Sequence, residues 1–416
     1  MSEAAAEPVP GNGEHEQKVT WLELFFDLVV VVAVAQLAAR LEEHGTVRGV
    51  GVFVVLYGAV WMAWTSFTLY ANVSAGAVRQ RAFIFAMAGM AVMATAIPDA
   101  TTDRATVFAA SYVIVRVIAQ NVFNRTHKAV VAWSAAQVPY GVLPWFVSVF
   151  VDSPARFYLW AAGLAIEFTM SVVRSGHPEE VVEGLRKRER DERAKRWARD
   201  ARRARMGLPV STPALVERIS AATLNIGHLG ERLGLFVIIV LGEAVAQLIG
   251  AAAHADWSRG REFAAVAGFA LLVGLWSLIF RYGFTSVPQF GVATLPPRLA
   301  LPIHFVTTGA ITALAAGLGA STHDASEHLP TTMRWVLCAG TGVYFLVTGI
   351  GAVATRAPWH WLLGWALPSV AVPVVVGALG GPLPAWAVAA LMTAVVLWQV
   401  FYVPLREQWT ARVRHR

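Results

Sequence analysis

The sequence predicts an all-α, polytopic integral membrane protein with about twelve transmembrane helices in a six-plus-six arrangement. Three observations lead to this fold class. Hydrophobic residues make up 56% of the 416 residues, charged residues make up 15%, and the mean hydropathy is +0.53, which is typical of chains that cross a membrane many times. Apolar segments long enough to cross a bilayer recur along the chain. Basic residues concentrate in alternate connections between these segments.

The apolar segments give the predicted spans. A helix needs about 20 mostly apolar residues to cross about 30 Å of hydrocarbon. The segments that meet this requirement are 24–41, 49–70, 82–97, 106–123, 129–150, 156–173, 232–253, 263–282, 299–320, 334–354, 359–379 and 385–404. Segment 82–97 is short and stops at Pro98, and Pro368 and Pro373 predict a kink in 359–379.

A long charged stretch after the sixth span divides the chain. We predict five parts, which are a disordered N-terminal tail at 1–18, a first membrane half at 19–173, a basic cytoplasmic loop with helical segments at 174–230, a second membrane half at 231–405 and a basic cytoplasmic tail at 406–416. The tail at 1–18 has no basic n-region and no small-residue cleavage site. The first span is therefore expected to be a retained anchor.

Within the central loop, residues 189–197 (Glu-Arg-Asp-Glu-Arg-Ala-Lys-Arg-Trp) mix both signs of charge at helical spacing. Such a stretch is typical of a solvated helix. A surface helix that binds lipid headgroups is the alternative. After the break at Gly207 and Pro209, Thr212 and Pro213 are expected to be the N-cap and first residue of another helix.

Loop charge predicts the orientation of the chain. Cytoplasmic connections carry an excess of Lys and Arg. The basic connections here include Arg79, Arg81, Arg125 and Lys128, whereas the alternate connections are mixed or acidic. Both termini are therefore predicted to be cytoplasmic. The formal net charge of +7 belongs to this topological pattern, so nucleic-acid binding is not expected.

The sequence lacks the motifs of several enzyme classes. It contains no Walker A, Gly-x-Ser-x-Gly, His-Glu-x-x-His or Cys-x-x-Cys pattern, so ATP-driven transport and the common hydrolases have no support. Cys338 is the single cysteine and is expected to be a packing residue. His323, Asp324, Glu327 and His328 lie in an outer loop, where such residues are usually solvated. We predict neither a metal site nor a cofactor.

Two carboxylates stand at the start of the first span, in residues 21–28 (Trp-Leu-Glu-Leu-Phe-Phe-Asp-Leu). Glu23 and Asp27 are four residues apart and share one helical face. Burying a charge in a bilayer is costly, so such residues pair with one another or mark a functional pathway. Glu23 is expected to snorkel to the cytoplasmic interface and hold the helix end. Asp27 lies one turn deeper, and an inward-facing paired role is equally compatible with its position.

A second group of ionisable residues opens the seventh span. His228, Glu231 and Arg232 are spaced i, i+3 and i+4, so they share a helical face and the imidazole is expected to contact the carboxylate. Glu243 lies three turns beyond Glu231, near mid-span. A proton relay along this face and a static salt-bridged helix junction are both compatible with the pattern.

Other ionisable residues lie inside apolar spans, and these are Arg116 in the fourth span, Glu167 in the sixth and His304 near the cytoplasmic end of the ninth. Most ionisable residues thus fall in the middle or the cytoplasmic half of the membrane. This bias predicts a polar vestibule open to the cytoplasm. In it, Arg116 or Arg232 is expected to neutralise Asp27 or Glu243.

The two halves show a weak internal repeat. Residues 33–37 and 244–248 both read Ala-Val-Ala-Gln-Leu, and Glu23 and Glu231 both lie near the cytoplasmic ends of their spans. The separation from Glu to Gln differs between the halves, so the match requires a gap. Duplicated halves are common in transporters, whose binding sites lie near the bilayer midplane where the halves meet.

Two stretches carry a resemblance to a known family. Residues 21–29 resemble the N-terminal signature of the bacterial low temperature requirement A (LtrA) proteins. The family's internal segment is matched by His228, Glu231, Arg232, Gly242 and Glu243. The resemblance extends over most of 19–405 and implies a bacterial inner-membrane protein that is associated by name with growth in the cold. It supplies no substrate, cofactor or catalytic residue.

The functional prediction follows from the ionisable residues at membrane depth. We expect a proton-coupled secondary transporter or permease, whose partners are the lipid bilayer, a small solute and protons. Two alternatives stay open. One is a membrane-embedded enzyme that acts on a lipid or isoprenoid, and the other is a non-catalytic membrane component that supports growth at low temperature.

Overall fold

The computed structural model describes residues 19–74, 80–175, 178–206, 220–253, 258–288 and 295–414. The helices are α1 (Trp21–Glu43), α2 (Val47–Ser74), α3 (Gln80–Ala96), α4 (Ala105–Phe123), α5 (Val142–Ser148), α6 (Ala155–Ser175), α7 (Pro178–Arg205), α8 (Ile226–Ala253), α9 (Arg259–Tyr282), α10 (Pro297–His323), α11 (Thr331–Ala354), α12 (Trp359–Trp361), α13 (Leu367–Leu379) and α14 (Ala385–Arg414). Two short strands, β1 (Lys128–Ala129) and β2 (Ser220–Ala221), pair in parallel.

Within these described residues, nine helices are long and apolar enough to cross a membrane. They are α1, α2, α4, α8, α9, α10, α11, the stretch Trp359–Leu379 and the first part of α14, Ala385–Tyr402. The protein is thus a polytopic helical membrane protein, as predicted. The predicted count of twelve long apolar helices is not reached. Helix α3 has only 17 residues, and α6 carries Arg156, Glu167 and Arg174, which lower its hydropathy.

The prediction of a helical span at 129–150 is wrong. This stretch begins in β1, forms one 3-10 turn at Ser134–Ala136 and becomes α-helical only in α5, which has 7 residues. Pro139 and Gly141 precede α5, and a helix cannot continue readily through a residue without an N–H or through one without a side chain. The apolar composition of the stretch reflects burial in protein.

This irregular segment nevertheless runs along α4 and α6. Ala135 is hydrogen-bonded to Arg116 of α4 and to Ser171 near the end of α6. Ten residues later, Trp145 stacks at 5.0 Å on Trp160 near the start of α6. Non-helical backbone at membrane depth is tolerated where it is buried in protein and its polar groups find partners. Side chains of α4 and α6 supply those partners here.

The stretch 359–379, in which a kink was predicted, is not one regular α-helix. A π-helical turn at Leu362–Ala366 separates α12 from α13, because Pro368 has no N–H to give to the carbonyl of Gly364. That carbonyl accepts a hydrogen bond from Trp398 at 2.9 Å. The carbonyl of Trp365 accepts one from Gln399 of α14 at 2.5 Å. Two side chains of α14 therefore satisfy the backbone at the kink.

The same order of helix packing occurs twice along the chain. Helix α1 packs against α2 and α3, and α3 packs against α4. In the same order, α8 packs against α9 and α10, and α10 packs against α11. Helix α2 contacts α6, as α9 contacts α14. The two sets meet where α1 packs against α8 and α10, and this contact surrounds the polar residues described below.

The central loop contains the 28-residue helix α7. Its first turns bury Val181 and Leu185 against Ala129 and Val138. The following β2 strand pairs with β1 and leads into α8, so α8 begins beside the ends of α2 and α4. The helix start predicted at Thr212 and the tail at 1–18 lie outside the described residues.

Candidate functional site

The site begins with the first turn of α1. Thr20 is the N-cap, and its side chain accepts a hydrogen bond from the Glu23 amide while the Glu23 carboxylate returns to Thr20, which is a capping box. Glu23 Oε2 accepts from the Thr20 amide at 2.7 Å and from its hydroxyl at 2.8 Å. Glu23 is only 1% exposed. It holds the helix end as predicted, but the prediction that it snorkels outward is wrong, because the cap and a partner on α8 hold it inside.

Asp27 lies one turn further along α1 and is completely buried. Its Oδ1 accepts a hydrogen bond from Trp64 Nε1 at 2.7 Å and a second one from Arg232 Nη2 at 2.5 Å. Its Oδ2 has no hydrogen-bond partner among the residues that the structure describes. Asp27 therefore takes the inward-facing, paired position that was one of its two predicted alternatives.

Arg232 and His228 reach this carboxylate pair from α8. Arg232 Nη1 lies 3.2 Å from Glu23 Oε1, so one guanidinium group binds both carboxylates. His228 Nε2 lies 3.5 Å from the same Glu23 oxygen. We call these four residues, Glu23, Asp27, His228 and Arg232, the carboxylate cluster. It joins α1 to α8.

The remaining carboxylates of α8 are outside the carboxylate cluster. Glu231 is exposed, and Glu243 is half-buried with its Oε1 3.0 Å from Gln247 Nε2. His228 and Arg232 are spaced i, i+4 and face α1, whereas Glu231 lies 100° away from Arg232 around the helix. The predicted contact between His228 and Glu231 is therefore replaced by one between His228 and Glu23.

Arg116 and Glu167 form a separate buried pair. Arg116 Nη2 lies 3.3 Å from Glu167 Oε1, and the Tyr112 hydroxyl donates to Glu167 Oε2 at 2.7 Å. Arg116 also donates to the Ser66 hydroxyl and to the carbonyl of Ala135. The pair is electrically balanced and holds the irregular segment between α4 and α6. Arg116 is thus paired with Glu167. Of the two cations expected to neutralise Asp27 or Glu243, it is Arg232 that neutralises Asp27.

His304 of α10 contacts the site through aromatic rings. Its Nδ1 accepts a hydrogen bond from Trp61 Nε1 at 3.2 Å, and its Nε2 lies 3.2 Å from the carbonyl of Leu233. Because an indole nitrogen only donates and a carbonyl only accepts, the imidazole is neutral with its hydrogen on Nε2. Trp64 stacks on His304 at 5.5 Å and on Phe236 at 4.1 Å. His304 of α10 therefore forms hydrogen bonds with both α2 and α8.

Sequence reasoning missed two residues of α2 that complete the site. Trp64 donates to Asp27, and Asn72 donates to the carbonyl of Asn225 at 2.8 Å and lies 3.3 Å from His228 Nδ1. Asn72 is a polar residue near the end of an apolar span. Polar residues are common at such positions, so the sequence did not indicate a role for Asn72 in the site. Trp64 has the apolar character of its neighbours, and its N–H reveals its role only in three dimensions.

A family model described as bacterial low temperature requirement A protein (LtrA) matches residues 18–401, which include every residue of the carboxylate cluster. The chain belongs to the LtrA family. A relative from Rhizobium meliloti (strain 1021), described as an uncharacterized protein, is 26% identical over 285 residues, which cover 64% of this chain and 59% of the relative. No solved structure matches the chain.

This LtrA protein offers little for metal binding within the described residues. No group of three or more His, Cys, Asp or Glu side chains there is arranged to hold a metal ion. In the carboxylate cluster, one oxygen of each carboxylate already accepts from Arg232.

Proposed function

We propose that this LtrA protein is a proton-coupled secondary transporter or permease for a small solute. The carboxylate cluster carries the proposal, because it places two carboxylates, one guanidinium group and one imidazole in a fully buried position between the first helices of the two halves. Ionisable residues at membrane depth commonly mark proton or substrate pathways. Transporter sites lie where duplicated halves meet.

The charge of the cluster supports a role in proton binding. With a neutral imidazole, Glu23, Asp27 and Arg232 sum to a net charge of −1. By comparison, the charges of Arg116 and Glu167 sum to zero. An uncompensated buried charge costs several kcal/mol, so the carboxylate cluster favours uptake of one proton or another monovalent cation, whereas the second pair does not.

The connections of the cluster support coupling to movement. Arg232 belongs to α8 and both carboxylates belong to α1, so protonation of a carboxylate weakens an ion pair between the halves. In each half, the element before the last long helix is interrupted, by the irregular segment before α6 and by the π-helical turn before α14. Discontinuous elements at corresponding positions of two halves point to a transport site.

Two buried hydroxyl groups also support a hydrated pathway. Thr65 and Thr68 lie on α2 within four residues of Trp64 and are at most 1% exposed. Neither hydroxyl has a hydrogen-bond partner in the described part of the chain. Buried polar groups are usually satisfied by protein, water or a ligand, so these hydroxyls are suited to bind water or a polar solute beside the helix that carries Trp64.

The proposed topology has twelve membrane crossings in two sets of six. It counts α3, α6 and the irregular segment as crossings in addition to the nine long apolar helices. Both termini then lie on the same side of the bacterial inner membrane, and the basic connections of the sequence place that side in the cytoplasm. The carboxylate cluster lies near the cytoplasmic end of α1 in this topology.

Proton flux in proteoliposomes tests the proposed function. Vesicles with an imposed pH gradient are compared for wild type, Asp27→Asn and Glu231→Gln, with and without an extract of small metabolites outside. We expect wild type to dissipate the gradient, Asp27→Asn to lose this flux and Glu231→Gln to retain it. Glu231 is a matched control because it is an exposed carboxylate on the helix that carries Arg232. Equal flux in wild type and Asp27→Asn, or no wild-type flux above empty vesicles, contradicts the proposal.

A further inference from the structure

The hydrogen bonds around Asn72 define the orientation of its amide. Asn72 Oδ1 accepts from the backbone N–H of Asn225 at 3.0 Å, and Asn72 Nδ2 donates to the backbone carbonyl of the same residue at 2.8 Å. Exchanging the amide oxygen and nitrogen would place donor against donor and acceptor against acceptor. The backbone of Asn225 therefore fixes which atom of the Asn72 amide faces α8.

This orientation fixes the tautomer of His228. The second hydrogen of Asn72 Nδ2 points to His228 Nδ1 at 3.3 Å, so Nδ1 must accept and cannot carry a hydrogen. The ring is then neutral with its hydrogen on Nε2, which faces Glu23 Oε1 at 3.5 Å. Protonating His228 would set two N–H donors against each other, so Asn72 opposes the imidazolium form.

The two carboxylates differ in how completely they are bonded. Both oxygens of Glu23 accept, Oε2 from the Thr20 amide and hydroxyl and Oε1 from Arg232. Asp27 accepts two hydrogen bonds on Oδ1, while its Oδ2 has no partner in the described residues. A carboxylate bonded on both oxygens is stabilised as the anion. The carboxylate oxygen that has no partner in the described residues, and is thus open to a proton, is Asp27 Oδ2.

We propose that the proton of the carboxylate cluster binds to Asp27 Oδ2, and that Asn72 is a positioning residue which directs it there by holding His228 neutral. In this step a hydronium ion of the solvent transfers a proton to Asp27 Oδ2 and becomes water, and the net charge of the cluster changes from −1 to 0. The titratable groups around Asp27 are Glu23 on α1, His228 and Arg232 on α8, and His304, which stacks on Trp64. The inference deepens the proposed function, on which its role in coupling rests, but the position of the proton is measurable without transport.

Two spectroscopic measurements on the purified full chain test this inference. Infrared difference spectra between acidic and alkaline buffer detect the carbonyl stretch of a protonated carboxylic acid. We expect such a band in wild type, its loss in Asp27→Asn and its retention in the matched control Glu243→Gln. In Glu23→Gln the band is expected to weaken, because Asp27 and Arg232 are then a balanced pair. Nitrogen NMR of histidine-labelled protein, with His228→Gln to assign the signal, is expected to show Nε2 protonated and Nδ1 bare.

The variant Asn72→Leu tests the positioning role. Removing the amide donor frees His228 Nδ1, so we expect the proton to move to the imidazole, with loss of the Asp27 carboxylic acid band and appearance of an imidazolium signal. A His228 that is protonated on both nitrogens in wild type, or a carboxylic acid band that survives Asp27→Asn, overturns the inference even if Asn72→Leu does not fold. Absence of proton flux with the expected spectra would instead overturn the transport function and leave the proton assignment intact.

Discussion

Arg232 Nη2 lies 2.5 Å from Asp27 Oδ1, across the contact between α1 and α8. The two residues are 205 positions apart in sequence and both are completely buried. A buried ion pair contributes little net stability compared with a well-packed apolar pair, but removing one partner leaves an uncompensated charge in a medium that cannot solvate it. Substitutions at this pair are therefore expected to weaken the contact between α1 and α8 strongly.

Replacing Arg232 by Met is expected to destabilise the protein by about 3–5 kcal/mol, since both carboxylates lose their cation in a buried site. Thermal unfolding in detergent measures the effect as a large drop in midpoint. The double variant Arg232→Met with Asp27→Asn is expected to recover part of the loss, because one of the unpaired charges is then absent. A double variant no more stable than Arg232→Met would contradict the pairing.

Replacing Trp64 by Phe separates hydrogen bonding from packing. Phe keeps an aromatic ring against Phe236, which Trp64 contacts at 4.1 Å, but has no N–H for Asp27 Oδ1. A hydrogen bond to a charged group contributes about 1.5–3 kcal/mol, and we expect a loss of that size in thermal unfolding. Trp276→Phe is the matched control, because Trp276 is half-exposed on α9. Equal effects at the two positions would show that the Asp27 hydrogen bond contributes nothing.

The pair of Arg116 and Glu167 is expected to behave as a structural unit. Glu167→Gln leaves Arg116 buried without a counter-ion, and Arg116→Met leaves Glu167 buried without one. Each substitution is therefore expected to lower the free energy of unfolding by about 3–5 kcal/mol. Thermal unfolding of the double variant is expected to show a loss well below the sum of the two single losses. Additive losses would contradict the pairing. Glu243→Gln, outside both buried groups, is the control for removal of a carboxylate.

Much of the fold could be predicted from hydropathy, because long apolar runs in a membrane form helices in order to satisfy their backbone groups. The limit of this reasoning is seen at 129–150. The hydropathy of this stretch indicates that it is buried, but Pro139 and Gly141 prevent one continuous helix. The side chains of Ser171 and Arg116 form hydrogen bonds with its backbone and so allow an irregular structure. The residues that satisfy this backbone lie on other spans, so the local sequence does not reveal them.

The sequence predicted which residues belong to the candidate site, but it did not predict which of them pair with one another. The cost of burying charge identified Glu23, Asp27, His228 and Arg232 from the sequence, and all four meet in the structure. The same reasoning also named Glu231 and Glu243, which lie outside the carboxylate cluster. The spacing of residues along one helix does not show which face of that helix will be covered by a helix distant in sequence. Pairing depends on contacts between α1 and α8, which form only when the halves pack together.

The irregular segment makes a close contact with α6 that only glycine permits. A Cβ atom at Gly141 would lie 2.0 Å from the carbonyl oxygen of Gly163, and one at Gly163 would lie 2.5 Å from Trp145 Cδ1. We expect Gly141→Ala to cost at least the 1–3 kcal/mol typical of overpacking, because its obstacle is backbone that cannot rotate away. Gly163→Ala meets the Trp145 ring at 2.5 Å and the carbonyl oxygen of Gly141 only at 2.9 Å, so it is expected to cost less.

Gly184→Ala on α7 is the matched control, since no atom lies within 4 Å of its Cβ position. There alanine should be neutral or stabilise the helix by about 0.5–1 kcal/mol. Thermal unfolding of the three variants measures the order of stability, which we expect to be Gly184→Ala, then Gly163→Ala, then Gly141→Ala. If Gly141→Ala unfolds at the wild-type temperature, the segment does not pack against α6 in this way. The hydrogen bond from Arg116 to the carbonyl of Ala135, which belongs to the same segment, would then be in doubt as well.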